Sequence, residues 1–181
     1  MTCIIGLAED NKVYIGGDSA SGSSNSWTVR ATTIKKVFLR PPFIFGCSLS
    51  FRMMQLLRYR LYNIPEQHAN YSNEEYLVKE FIDPVRELFK EHGYARIKDN
   101  EEEGGSFLVG YRNQLYLIDT DFQVNESLDG LRALGCGEDF ALGAMKALEH
   151  LPPKKRILKS LEIAAYFSGG VMPPFIVEEG K

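Results

Sequence analysis

The chain is poor in the residues that announce most kinds of chemistry. Its three cysteines, Cys3, Cys47 and Cys136, are odd in number and form no C-x-x-C pair. That excludes a disulfide framework and points to reduced thiols in a cytoplasm. The three histidines, His68, His92 and His150, are scattered without metal-ligand spacing, so no metal site and no other cofactor is expected. No apolar run approaches the roughly 20 residues that span a bilayer. Residues 1–7 meet Glu9 and Asp10 too soon to be a signal peptide, so no membrane association is expected. A basic stripe is missing too: the net charge is -3, and Lys35-Lys36 and Lys154-Lys155-Arg156 are short clusters. Nucleic acid is therefore not an expected partner.

What remains is an ordinary globular composition, 44% hydrophobic and 25% charged over 181 residues, read as one domain spanning 1–181. Residues 2–8 and 12–17 are strand-like and turn at Glu9-Asp10-Asn11, a hairpin signal. Residues 19–26 read as a polar loop. A second strand pair, 33–39 and 43–47, turns at Arg40-Pro41-Pro42. From Ser50 the period changes to 3.6, with Phe51, Met54, Leu57 and Leu61 on one face and Ile64-Pro65 as the stop. Ser72 followed by Glu74 and Glu75 starts another helix, buried through Leu77, Phe81, Val85 and Leu88; Pro84 should kink or split it. Residues 98–105, "KDNEEEGG", read as a charged surface loop. Strands at 106–111, 114–120 and 131–134, helices led by Ala141 and by Pro152-Pro153, and a last strand at 174–177 complete the chain.

The order is strands, two helices, strands, two helices, strand. Hairpin-linked sheets must bury one face on each other and the other under helices. The expected class is α+β, a four-layer α-β-β-α sandwich.

Two enzymatic readings compete for "VYIGGDSASGSS", residues 13–24. In the first, Ser19 is the nucleophile, as in the lipases and esterases named for a Gly-Asp-Ser-Leu block. That serine needs a histidine base held by an acid near the C-terminus. The one late histidine, His150, follows Ala147-Leu148-Glu149, with no aspartate at the required offset. A phosphate loop fails as well, since no Gly-Lys-Ser/Thr follows the glycines.

In the second, Asp18 serves a nucleophile elsewhere. Thr2 follows Met1, and a methionine before a small residue is readily trimmed. The freed α-amine, with an ordinary pKa near 8, can accept the proton of the adjacent hydroxyl. Such a nucleophile needs no histidine, only a cation, an acid to hold it and an oxyanion donor.

Here the chain resembles the proteasome β-subunits and bacterial proteasome-like peptidases, within the N-terminal-nucleophile hydrolases. The resemblance runs through "TCIIGL", "VYIGGDSA", "TIKKVF", "PPFIFGCSLS", "GGSFLVGY", "ALGCGEDFALGAMKAL" and "YFSGG", in order over nearly the whole chain. It implies Thr2 as nucleophile, Asp18 as the acid and Lys36 as the cation. It implies an oxyanion amide near Ser50, Cys136 at the serine of a Gly-Ser-Gly turn, and Ser168 before Gly169-Gly170. The implied activity is cleavage of peptide (amide) bonds through an acyl-enzyme, in a homo-oligomeric ring that an unfoldase could serve.

Alternatives stay open at several positions. Cys3 is a rival nucleophile, and Lys35 a rival for Lys36, since only one of two successive strand residues faces inward. Cys47 and Cys136 read equally as buried small hydrophobes. Cys136 is a weaker donor than serine, Ala165 stands where eukaryotic β-subunits carry an aspartate, and no propeptide is expected before Thr2, so that activation is expected to depend on removal of Met1 alone. An inactive shell subunit and a small-molecule amidohydrolase on the same fold are the competing functions. Met53, Tyr59 and Tyr62 are expected on the surface of the first helix as an assembly face.

Overall fold

The computed structural model describes residues 1–22 and 28–181. The chain begins with β1 (Ile4–Glu9), β2 (Lys12–Gly17), the short pair β3 (Ala20–Ser21) and β4 (Arg30–Ala31), β5 (Val37–Arg40) and β6 (Phe43–Cys47). Helices α1 (Phe51–Tyr59), α2 (Asn73–Tyr76) and α3 (Ile82–Glu91) follow, then β7 (Arg96–Lys98), β8 (Glu101–Glu103), β9 (Phe107–Tyr111), β10 (Gln114–Ile118), β11 (Val124–Glu126) and β12 (Leu131–Leu134). Helices α4 (Glu138–Ala147) and α5 (Pro153–Phe167) and strand β13 (Ile176–Gly180) end it.

Two antiparallel sheets, β12-β1-β2-β13 and β11-β10-β9-β6-β5, lie face to face. Their strands alternate between two buried sides, because successive side chains point to opposite faces. Ile4, Val13, Ile15, Val37, Ile44, Leu108 and Leu115 meet between the sheets. Ile5, Leu7 and Tyr14 turn outward onto Met145, Ile157 and Leu161 of α4 and α5. Phe43, Phe45, Phe107 and Tyr111 turn the other way onto Met54, Leu57, Phe81 and Phe89 of α1 to α3. This is the expected four-layer α-β-β-α sandwich. Covering both faces of each sheet is why "CIIGL" and "FIF" are unbroken apolar runs. The sheets approach closely at Gly46, where a Cβ would stand 2.6 Å from Ile15 and Ile4.

Several expectations change in detail. Residues 98–105 are not a loop throughout: β7 and β8 pair across Asp99-Asn100, both at positive φ, as Asp10-Asn11 and Arg112-Asn113 are in their hairpins. Ser19 and Ala20 are buried and residues 20–21 pair with 30–31, so the start of the supposed polar loop is core; the remainder, 23–27, lies outside the described residues. Helix α1 stops at Tyr59, earlier than Ile64-Pro65, because the Arg40 guanidinium takes the carbonyls of Arg58 and Leu61. Met53 is fully buried, leaving Tyr59 and Tyr62 as the exposed residues of the face expected to mediate assembly. A π-helical turn, Leu77–Phe81, precedes Pro84, which lacks the N–H a regular helix needs there. Ser72 forms a capping box with Glu75. No helix among the described residues is long and apolar enough to cross a membrane.

Candidate active site

One end of the sandwich gathers polar residues that are almost wholly buried. The β1–β2 register sets Ile4 opposite Gly17, so the residues just outside it, Cys3 and Asp18, meet through Asp18 N donating to Cys3 O at 3.2 Å. Asp18 Oδ1 accepts from Cys3 N at 2.9 Å, and Oδ2 accepts from Ala20 N at 2.8 Å and Met172 N at 3.2 Å. Three amides thus hold the carboxylate in one orientation.

Lys36 stands just before β5, in the other sheet. Its ammonium donates to Asp18 Oδ1 at 2.8 Å and to Thr2 Oγ1 at 3.2 Å. Thr2, Asp18 and Lys36 are each no more than 3% exposed. Burial lowers the proton affinity of Lys36 from its ordinary value, and the charge and hydrogen bond of Asp18 oppose that shift. Lys35 is exposed, so the choice between the two lysines falls on Lys36.

Thr2 is fixed on its far side by the turn between β12 and α4. Its amide donates to Cys136 Sγ at 3.4 Å, and Gly137 N donates to its carbonyl at 3.4 Å. Gly135 adopts φ +99, and a Cβ there would stand 2.3 Å from Thr2 O. Only glycine fits that approach. Ser168, the C-cap of α5, donates to Cys136 O at 3.4 Å and lies 3.5 Å from its sulfur. The Thr2 hydroxyl donates to the carbonyl of Met1. Cys3, the rival nucleophile, faces the α4–α5 layer, and burial pushes its thiol up to about 12. It is held as an unreactive thiol.

The structure therefore brings Thr2, Asp18, Lys36, Cys136 and Ser168 together. Ser50 is not among their hydrogen-bond partners: it caps α1 by accepting from Met53 N at 3.2 Å, while its own amide donates to Ser48 O at 2.8 Å. Its turn is nevertheless tied to the lysine strand, since Cys47 N donates to Lys36 O at 2.8 Å. Ser19 is scaffold, with its hydroxyl on Pro174 O at 2.5 Å and its amide on Met172 O at 2.8 Å.

No protein-family model matches the sequence, and no curated protein does. Solved structures do match. Thiobacillus denitrificans BPH, in complex with epoxomicin, superposes with a TM-score of 0.78 at 16% identity, covering 99% of this chain and 98% of that one. Eukaryotic HslV from Trypanosoma brucei gives 0.67 at 20% identity, covering 99% of each chain. Anbu (ancestral beta-subunit) from Yersinia bercovieri gives 0.66 at 12% identity, over 99% of this chain and 81% of that one. The fold is the proteasome-type N-terminal-nucleophile hydrolase fold. At these identities the likeness is one of architecture. Within the proteasome-type fold, sequence reasoning missed the Met172 amide as a ligand of Asp18, which no residue type could have signalled because the donor is backbone. It noticed the turn of Gly135 but not its role against Thr2. Among the described residues, no group of three or more His, Cys, Asp and Glu side chains is placed to hold a metal.

Proposed function

We propose that the protein is a proteasome-like N-terminal threonine hydrolase that cleaves peptide bonds. The observation that carries this reading is the buried Lys36 ammonium, 3.2 Å from Thr2 Oγ1 and 2.8 Å from Asp18. Activity requires the Met1–Thr2 bond to be hydrolysed first. Thr2 N is then an amine beside the hydroxyl, with an ordinary pKa near 8, and takes the hydroxyl proton as Oγ1 attacks the substrate carbonyl. Lys36 stabilises the developing negative charge on Oγ1, and Asp18 keeps Lys36 in place. The turn that carries Ser50 supplies the oxyanion donor; the Ser50 amide must leave Ser48 O to do so. Cys136 and Ser168 hold the amine end of Thr2. The protonated Thr2 amine then returns its proton to the leaving amine as the scissile C–N bond breaks. Water, giving a proton to the Thr2 amine, hydrolyses the Oγ1 ester to release the acid and restore the hydroxyl. We further place the protein in the cytoplasm, in a homo-oligomeric ring whose chamber an unfoldase could feed.

A second reading, an idle shell subunit, draws on the Thr2 hydroxyl being engaged by the Met1 carbonyl. One experiment separates them. An epoxyketone captures a residue only through a free hydroxyl and a free amine together, so intact mass is measured before and after treatment. The expected result is loss of Met1 and gain of one inhibitor, absent in Thr2→Ala. Peptide turnover by protein that fully retains Met1 removes the threonine mechanism, and no adduct with no turnover leaves the shell subunit.

A further inference from the structure

A buried polar atom without a partner is rare in a folded chain, and each one asks what completes it. Among the described residues three side-chain atoms are in that state: Ser127 Oγ, Arg132 Nε and Ser160 Oγ. Ser160 lies within α5, whereas Ser127 and Arg132 line one groove of about 540 Å³. Small-molecule sites run to roughly 300–1,000 Å³. The groove follows the turn from β11 into β12, the edge strands of the two sheets, and α4 closes its other side.

The chemistry of the lining narrows the occupant. Arg132 donates from Nη2 to Asn125 Oδ1 of β11 at 2.9 Å, which fixes the guanidinium and leaves its Nε–H unspent. Ser127 is only 7% exposed, and its hydroxyl is a second unspent donor. Two such donors, one of them charged, call for an oxygen anion, above all a carboxylate. Asp129 stands in the same lining and repels a plain anion. Its Oδ1 accepts from Leu131 N at 3.1 Å, and neither Asp129 nor Arg132 has an ion-pair partner among the described residues. An unpaired acid close in sequence to an unpaired guanidinium suits a ligand that carries both charges. Lys146 of α4 is a further cation at the rim, already paired with Glu149 at 2.9 Å. Leu131 and Leu142 supply an apolar wall, and Leu128 above them is wholly exposed.

We propose that this groove binds a free α-amino acid with an aliphatic side chain. Its carboxylate meets Arg132 and Ser127, its ammonium meets Asp129, and its side chain lies on Leu131 and Leu142. Both donors are closed to water, so the ligand reaches them by displacing the rim at Leu128, which gives up no packing there. Strand β12 carries the chain from Arg132 to the Gly135 turn, about 10 Å at roughly 3.3 Å per residue. The proposal therefore stands on its own residues and not on the catalytic reading.

The test is calorimetric titration of the full chain with three probes. They are L-leucine, 4-methylpentanoate, which lacks the ammonium, and 3-methylbutylamine, which lacks the carboxylate. Leucine should bind one to one at millimolar concentration and raise the melting temperature. Each truncated probe should bind at least about tenfold more weakly, because it leaves one charge of the site unanswered. Arg132→Met should weaken leucine at least about tenfold, as should Asp129→Asn, which keeps an acceptor for Leu131 N. Ser127→Ala should also weaken leucine, yet leave the ligand-free melting temperature unchanged or higher, since the hydroxyl it removes has no partner to lose. Thr2→Ala should bind leucine as the parent does, which sets this groove apart from product capture beside Thr2. Absence of binding at millimolar leucine overturns the proposal. So does equal binding of 4-methylpentanoate, undiminished binding in Arg132→Met, a lowered ligand-free melting temperature in Ser127→Ala, or loss of binding in Thr2→Ala.

Discussion

A lysine that is only 2% exposed has to answer for its charge, and Lys36 does so through two contacts, Asp18 and the Thr2 hydroxyl. Removing it leaves Asp18 buried, still held by the amides of Cys3, Ala20 and Met172 but without a cation. Breaking a buried pair from one side costs about 3–5 kcal/mol in general. The three amides should keep Lys36→Ala at the low end of that range, folded but with a lowered melting temperature. Electrostatic and proton-transfer assistance of this kind is worth about 10² to 10⁴ in rate. Lys36→Ala should therefore lose at least about a hundredfold in amide hydrolysis. Asp18→Asn should lose activity too, and the double variant should be little worse than either single, since the pair works as one unit. Lys35→Ala, at an exposed position, should match the parent in both turnover and melting. Unimpaired turnover in Lys36→Ala would remove the mechanism. The sequence could name Asp18 and Lys36 because both are ionisable types in recognisable blocks; the resemblance put Lys36 ahead of Lys35, while alternation alone left the two open until the start of the strand was known.

At the scale of elements, the turn between β12 and α4 bears directly on Thr2. Gly135 is held at φ +99 against Thr2 O. An alanine there is strained by its φ, and its Cβ pushes on the Thr2 carbonyl. Gly135→Ala should lower thermal stability and cut turnover together, whereas Gly143→Ala, inside α4 with open space around the added Cβ, should do neither. Equal turnover in both variants would show that Thr2 is not positioned by this turn. Elements were legible where periodicity and turn chemistry agreed. The strand at 131–134 and the hairpin at Asp10-Asn11 fall where the pattern set them. The β7–β8 hairpin was missed although "KDNE" carries the same Asp-Asn turn as "EDNK", because its strands are exposed and charged and leave no apolar run to notice. Strand β11 was missed because it is three residues long on a sheet edge. The end of α1 was misplaced because Arg40, 18 residues upstream of Arg58, takes the Arg58 carbonyl in its last turn.

The layered architecture was readable from element order alone, since two sheets of this length have few other ways to bury both faces; which surface meets a partner was not, because exposure is a property of the packed molecule. Stability of the whole molecule should carry the imprint of the buried lysine as a dependence on pH. In the unfolded chain Lys36 titrates at its ordinary value of 10.5, and in the folded protein burial lowers that value, with Asp18 opposing. Between the two values the folded state binds fewer protons than the unfolded state, so this group makes stability rise with pH and fall again as pH drops through the folded value. Other groups act in the opposite direction. Burial raises the Cys3 thiol from 9.0 to about 12 and the Tyr76 phenol from 10.0 to about 12, so folded protein keeps their protons longer and they lower stability as pH rises past 9.0 and 10.0. The contribution of Lys36 is isolated by difference. Urea unfolding of the parent and of Lys36→Met, measured in steps from neutral pH to 10.5, cancels the Tyr76 contribution and the burial part of the Cys3 contribution, leaving only the smaller effect of the Lys36 charge on Cys3. The stability of the parent relative to Lys36→Met should be level below the folded value of Lys36 and climb between that value and 10.5. A flat difference would mean that the attraction of Asp18 offsets the burial of Lys36 in full, so that the folded protein holds this proton as tightly as water does.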